Sequence, residues 1–147
     1  MERTARDAII RRLEFARTEL ADLEAFADLD FSRYTSDRVV RRNVERMIEN
    51  IVNSLSDIGK IILAQTDIEM PDSYRGIFEK LGSRGLIEAG LATRLADATR
   101  LRNILAHQYL DIKWKHIETF LAQGRSDALA FLERIEEWMA GQDAGSH

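Results

Sequence analysis

A cation, an amide, an imidazole and a phenol fall within eight residues in the segment Arg102-Asn103-Ile104-Leu105-Ala106-His107-Gln108-Tyr109. Breaking a phosphodiester without a metal needs a proton-transfer group and a fixed positive charge beside one phosphate. Histidine supplies the first near neutral pH, and arginine supplies the second as a planar, permanently charged fork. His107 and Arg102 are the candidates for those two roles, with Asn103 as a third contributor. At about 100° per residue, Arg102, Ala106 and Tyr109 share one stripe of a helix, and Arg100, Asn103 and His107 share the next. Arg102 and His107 stand roughly 140° apart on an ideal helix. They converge on one phosphate if the helix ends near His107, or if a second subunit completes the site. Asn103 and His107 are i, i+4 neighbours, so the amide could orient the imidazole or contact the substrate's backbone.

Each of these residues has a plainer reading when taken singly. His107 is then a helix-end residue that complements the dipole. Arg102 is a solvated or salt-bridged side chain, and Tyr109 is a half-buried core aromatic. His116 reads as a first-turn residue of the last helix. His147, at the very C-terminus, carries no functional weight.

The elements that must position the segment follow one period. Ala5, Ile9, Leu13, Ala16, Leu20 and Leu23 recur at steps of three and four, which predicts a first amphipathic helix from about Glu2 to Ala27. Asp28–Tyr34 breaks the pattern, and Thr35 or Ser36 is placed to cap the next helix. That long second helix carries Val40, Val44, Met47, Ile51, Leu55, Ile58 and Ile62, and ends near Gln65–Thr66, ahead of Pro71. Gly59 inside it predicts a close helix–helix approach. Tyr74–Leu81 reads as a short third helix closed by the glycines of Gly82–Gly85. A fourth runs from about Glu88 to Ala106, with Leu91, Leu95, Ala98, Leu101 and Leu105 inward. Asp111 is placed to cap a fifth, from near Lys113 to Met139, which Gly124 could kink or split. No alternating β pattern appears, so the expectation is an all-α antiparallel bundle of about five helices. Residues 1–140 form its single domain, and 141–147 form a small, polar, flexible tail.

Bulk composition sets the context. With 147 residues and 45% hydrophobic content, the chain can bury one good core and not two. The absence of cysteine excludes a disulfide framework and thiol chemistry, and fits a reducing cytoplasm. Met1–Arg12 is charged throughout, unlike a signal peptide, and no run nears the roughly 18 apolar residues of a membrane span. No His/carboxylate cluster at ligand spacing suggests a metal, and no cofactor is expected. A net charge of −4 argues against a protein that coats nucleic acid, so any RNA contact must be local. Ile48 and Val52 lie beside the main stripe of the second helix and predict an apolar face left over for a homodimer.

The motif resembles the R-x4-H-x-Y signature of the HepT branch of the HEPN ribonucleases, the toxin half of bacterial or archaeal toxin–antitoxin pairs. The resemblance covers nearly the whole chain. Arg42-Asn43-Val44-Glu45-Arg46 with Ile48-Glu49-Asn50 is similar to the family's second-helix opening. Met70-Pro71-Asp72-Ser73-Tyr74-Arg75, with Ile77-Phe78 and Leu81, is similar to its Pro-x-x-Tyr turn and short helix. Leu101–Tyr109 followed by Asp111-Ile112-Lys113-Trp114 is similar to its motif helix and the start of its last helix. One departure is Asp57-Ile58-Gly59-Lys60, where the family carries a bulkier or histidine-like residue after the acid.

The resemblance implies a HEPN-like bundle that forms a symmetric homodimer with the two motif helices facing across a cleft. It implies a cytoplasmic, metal-independent ribonuclease of a type VII-like system, acting on RNA and preferentially tRNA, with Arg102, His107 and Asn103 catalytic. It further implies an MntA-like nucleotidyltransferase antitoxin that transfers AMP from ATP to Tyr109. The alternatives are a non-catalytic helical binding module that partners a nucleotidyltransferase, and a structural helical dimer with an incidental motif.

Overall fold

The computed structural model describes residues 1–145, so His147 lies outside the described residues. It contains eight α-helices: α1 (Arg3–Leu23), α2 (Phe31–Ser36), α3 (Arg38–Ala64), α4 (Tyr74–Ser83), α5 (Ala89–Ala98), α6 (Leu101–His107), α7 (Leu110–Thr119) and α8 (Arg125–Ala144). A 3-10 turn at Glu24–Phe26 ends α1, and a π turn at Phe120–Gly124 joins α7 to α8. No helix among the described residues is long and apolar enough to cross a membrane.

The central element is α3. Its Asn50 amide donates to Glu19 at 3.0 Å and its Asp57 faces Arg12 at 3.9 Å, so α3 runs antiparallel to α1. Arg6–Asp143 and Arg17–Glu136 set α8 antiparallel to α1 in the same way. On α1 the buried residues are Ile9, Leu13, Ala16, Leu20 and Leu23, a narrow stripe that meets α3. By contrast α3 is buried on more than one side, because α4, α6 and α8 also pack against it. That corrects one expectation: Ile48 and Val52 are 0% and 3% exposed within the single chain and are not left over for a second copy.

The close approach predicted at Gly59 is present. A Cβ there would sit 2.7 Å from Ile77 Cγ2 and 3.0 Å from Leu81 Cδ1, so α4 lies directly on the α3 backbone. The far end of α4 closes as predicted, at Gly85 with φ of +73°. The Leu86 N–H donates to the Leu81 carbonyl and the Gly85 N–H to the Gly82 carbonyl, the paired bonds of a Schellman cap.

Other boundaries shift for local chemical reasons. Thr35 and Ser36 belong to the extra helix α2, capped by Asp30, and the cap of α3 is Asp37, whose carboxylate accepts from the Val40 N–H at 3.1 Å. The helix expected over Glu88–Ala106 is broken. The Thr99 hydroxyl donates to the Ala96 carbonyl at 2.6 Å, and the Thr99 and Arg100 N–H groups reach back only three residues, so α6 must start anew. Asp111 does not cap α7; Tyr109 holds that place and Asp111 lies in the first turn, where its charge complements the dipole. The last helix is divided at Gly124 as expected, and α8 continues through Ala144, beyond Gly141. These helices make the all-α bundle that the periodicity predicted.

Candidate functional site

The site is built on α6, only seven residues long and held by three of them. Leu101, Ile104 and Leu105 are 5%, 9% and 4% exposed and fasten one face to the core. That register turns Arg102, Asn103, Ala106 and His107 to the outside together. The helix ends at His107, one of the two conditions under which Arg102 and His107 could serve one phosphate. Gln108 and Tyr109 are then extended, with ψ of 165° and 162°, and α7 begins at Leu110. Tyr109 therefore leaves the helix, and the expected i+7 stripe from Arg102 to Tyr109 is not formed.

Arg102 has no carboxylate partner among the described residues. Its guanidinium lies over the Tyr74 ring, 4.9 Å from the centroid. Tyr74 is itself fixed as the first residue of α4: the Ser73 hydroxyl caps the Gly76 N–H at 3.0 Å, and the ring packs on the core. A cation on a π face keeps its charge and its N–H fork available, which suits a group awaiting a phosphate. No hydrogen bond joins Asn103 to His107 or Arg102 to His107 among the described residues, so one chain does not lock the three polar groups together. The core-aromatic reading of Tyr109 is overturned, since its side chain is 81% exposed.

The start of α7 fixes where Tyr109 stands. The Lys113 N–H donates to the Tyr109 carbonyl at 2.9 Å. The Lys113 ammonium reaches Glu45 of α3 at 3.2 Å, and both side chains are largely buried. Glu45 also accepts from the Tyr34 hydroxyl at 3.1 Å. Burial pushes the Tyr34 phenol well above its ordinary value, and the Glu45 charge adds to this, so it remains a hydrogen-bond donor. Trp114 completes the anchor against the rings of Tyr34 at 5.4 Å and Phe31 at 6.3 Å. Tyr74, Glu45 and Lys113 thus support the site although no spacing argument singled them out. Their partners are distant in sequence, and only the Ser73 cap before Tyr74 hints at a fixed ring.

A cavity of about 430 Å³ lies behind α6, lined by Leu101, Ile104, Leu95, Phe120, Arg94 and Asp127 among others. None of Arg102, Asn103, His107 or Tyr109 lines it, so it is separate from the motif face. Among the described residues no group of three or more histidines and carboxylates is placed to hold a metal ion.

Residues 16–135 match the family model described as ribonuclease HepT-like. The chain belongs to the HepT-like ribonuclease family. It is 30% identical over 103 residues to the tRNA nuclease HepT of Aphanizomenon flos-aquae (strain 2012/KM1/D3), covering 69% of each chain. Its fold matches a mutant of the MntA–HpeT toxin–antitoxin complex with a TM-score of 0.80 at 22% identity, over 89% of this chain and 98% of that one. It also matches a tri-AMPylated HEPN toxin of Shewanella oneidensis in complex with its MNT antitoxin, with a TM-score of 0.79 at 22% identity and the same coverage. A HepT-like ribonuclease is a nuclease, and this one is built on an all-helical bundle, as the resemblance implied.

Proposed function

We propose that this HepT-like chain is the toxin of a two-protein toxin–antitoxin pair and cuts RNA, with tRNA as its substrate class, in the cytoplasm. The observation that carries the reading is that Arg102, Asn103 and His107 are all exposed on a helix that stops at His107, with Arg102 poised on Tyr74 and free of any acid among the described residues. His107 takes the proton of a ribose 2′-hydroxyl as its oxygen attacks the adjacent phosphorus. Charge grows on the non-bridging oxygens, and Arg102 stabilises it, with Asn103 contributing a further contact. The 5′-oxygen leaves with a proton supplied by a second acid, giving a 2′,3′-cyclic phosphate and a 5′-hydroxyl. In a symmetric dimer the partner's histidine supplies that proton, so one helix per copy makes a complete acid–base pair. No metal takes part in this scheme.

Tyr109 is the point of control. A nucleotidyltransferase antitoxin transfers AMP to its phenol, whose oxygen attacks the α-phosphorus of ATP while pyrophosphate leaves and the phenol proton is lost to a base. The exposed ring supports this role, and the added phosphate and nucleoside stand two residues from His107. The tRNA nuclease relative and the AMPylated toxin neighbour support the same reading. Membership of a ribonuclease family disfavours the non-catalytic module.

The deciding experiment is cleavage of tRNA by the purified chain in EDTA, with product ends mapped. Arg102→Ala and His107→Ala should each lose about 10²–10⁴ in rate while keeping their helical content. Parent-rate cleavage by His107→Ala, or abolition by EDTA, would remove the assignment.

A further inference from the structure

The arginines of this chain divide into two populations. On α1, α4, α5 and α8 most are held by carboxylates, as in Arg6–Asp143, Arg17–Glu136, Arg75–Asp97 and Arg94–Asp127. On the first turns of α3 the pattern reverses. Arg38, Arg42 and Arg46 recur at i, i+4, i+8, all are exposed, and none has a hydrogen bond or ion pair among the described residues. They line one stripe for ~12 Å along the helix.

None of the acids in these turns, Asp37, Glu45 and Glu49, makes an ion pair with them among the described residues. Glu45 sits three residues after Arg42 and one before Arg46, yet both of its oxygens are taken, Oε1 by Lys113 and Oε2 by the Tyr34 hydroxyl. Arg41 in the same run is also consumed, donating to the carbonyls of Tyr34 and Thr35 at 3.1 and 3.0 Å. Three like charges at helical i, i+4 spacing repel one another, so the free protein gains nothing from the row. An anionic partner turns that repulsion into attraction. In a chain of net charge −4 such a row is a local basic surface and not a reflection of bulk charge.

Its place relative to the motif is fixed by two bonds. Glu45, within the same turns of α3, holds Lys113, and the Lys113 N–H holds the Tyr109 carbonyl at the end of the motif segment. We infer that Arg38, Arg42 and Arg46 form a phosphate-tracking ridge that grips the backbone of a folded RNA away from the bond being cut. The inference rests on the nuclease reading for its partner. The ridge supplies affinity and orientation without reading bases, and the motif helix supplies the chemistry.

The test uses the full chain, a fluorescently labelled transcribed tRNA, and a short oligonucleotide spanning only the cleaved bond. The Arg38→Gln/Arg42→Gln/Arg46→Gln protein should bind tRNA at least ~10-fold more weakly near physiological salt. The slope of log K against log salt should shrink by about two to three, at roughly 0.7–0.9 for each phosphate no longer neutralised. Turnover of the short oligonucleotide should not change, and the Arg→Lys triple should keep the parent slope, because a phosphate ridge requires charge. Arg42→Gln alone, expected to free about one phosphate, serves if the triple variant does not fold.

An unchanged tRNA affinity and salt slope overturns the inference. The same holds if the triple variant loses only co-sedimentation with phosphatidylserine vesicles, or only its oligomeric state, since the row then faces a lipid or a second copy. A chain that binds tRNA through the ridge but cuts no RNA would instead refute the nuclease reading and leave the ridge standing.

Discussion

The Arg102 guanidinium lies 4.9 Å from the centroid of the Tyr74 ring, joining the motif helix to the first residue of α4. The pair sets the resting position of the charge that the proposed chemistry needs, and it does so without using any of the guanidinium donors. Such a contact is worth about 0.5–1 kcal/mol at an accessible site, or roughly two- to fivefold in rate if all of it goes into placement.

Tyr74→Phe keeps the ring and should cleave RNA at close to the parent rate. Tyr74→Leu keeps an apolar side chain without the π face, and should lose kcat a fewfold with KM little changed. Combining Tyr74→Leu with Arg102→Ala should cost no more than Arg102→Ala alone. Additive losses would mean that Tyr74 acts on something other than Arg102.

Tyr109→Phe should be thermally indistinguishable from the parent. Its ring is 81% exposed and its hydroxyl has no partner among the described residues, so nothing in the fold depends on the oxygen. The variant should remain an active nuclease and should gain no AMP-sized mass when expressed with a nucleotidyltransferase antitoxin. A clear drop in melting temperature, or an AMP adduct elsewhere that still silences the protein, would argue against Tyr109 as the control point.

Lys113→Met should destabilise the fold by about 1–3 kcal/mol in urea unfolding. Its ammonium and the Glu45 carboxylate are only 16% and 15% exposed, and removing one leaves the other short of a partner. Retention of the Tyr34 hydroxyl bond to Glu45 keeps the expected cost toward the lower end. A double variant with Glu45→Gln should recover part of the loss, and a simple sum of the two single costs would show that the pair is not coupled.

Acid should weaken the fold through particular carboxylates. The Glu88 side chain caps α5 by accepting the Gly90 and Leu91 N–H groups, which holds its pKa below the ordinary 4.5. The hydrogen bond and charge of Arg6 hold Asp143 below its ordinary 3.8. In both cases the unfolded chain binds the proton more tightly, so the stabilisation is complete above the ordinary value and disappears as pH falls through the depressed one. Melting temperature should therefore be level near neutrality and decline below about pH 4.5, and Glu88→Gln should flatten that decline. An identical acid limb in the variant would show that the cap does not titrate with folding.

Much of this was legible in the chain, because local periodicity decides local faces. The spacing of Leu101 and Leu105 already turned Arg102, Asn103 and His107 outward, and Gly59 already marked a helix crossing. Misreadings arose where the answer depends on neighbours. Ile48 and Val52 look surplus on a helical wheel, which cannot show that α3 has helices on several sides. The break at Thr99 turns on one hydroxyl choosing the Ala96 carbonyl, and the cap at Asp37 won over Thr35 and Ser36 because the chain runs extended only at the aspartate. Tyr74 could not be linked to Arg102 from sequence, since the two lie on different helices and meet only through the packing of α4 on α3 and α5.

The turn at Thr99 and Arg100 has a consequence for motion. It cuts the motif segment down to seven residues between a tight turn and an extended pair, too short to persist as a helix by its own hydrogen bonds. Its apolar anchorage is Leu101, Ile104 and Leu105, with the Arg102–Tyr74 contact beside it, so a local opening of this segment would leave the long helices intact. Arg102, Asn103 and His107 therefore ride on one short unit, and the proposed chemistry depends on its being folded. Anything that grips the segment from outside gains leverage over when they are present, as well as over what approaches them.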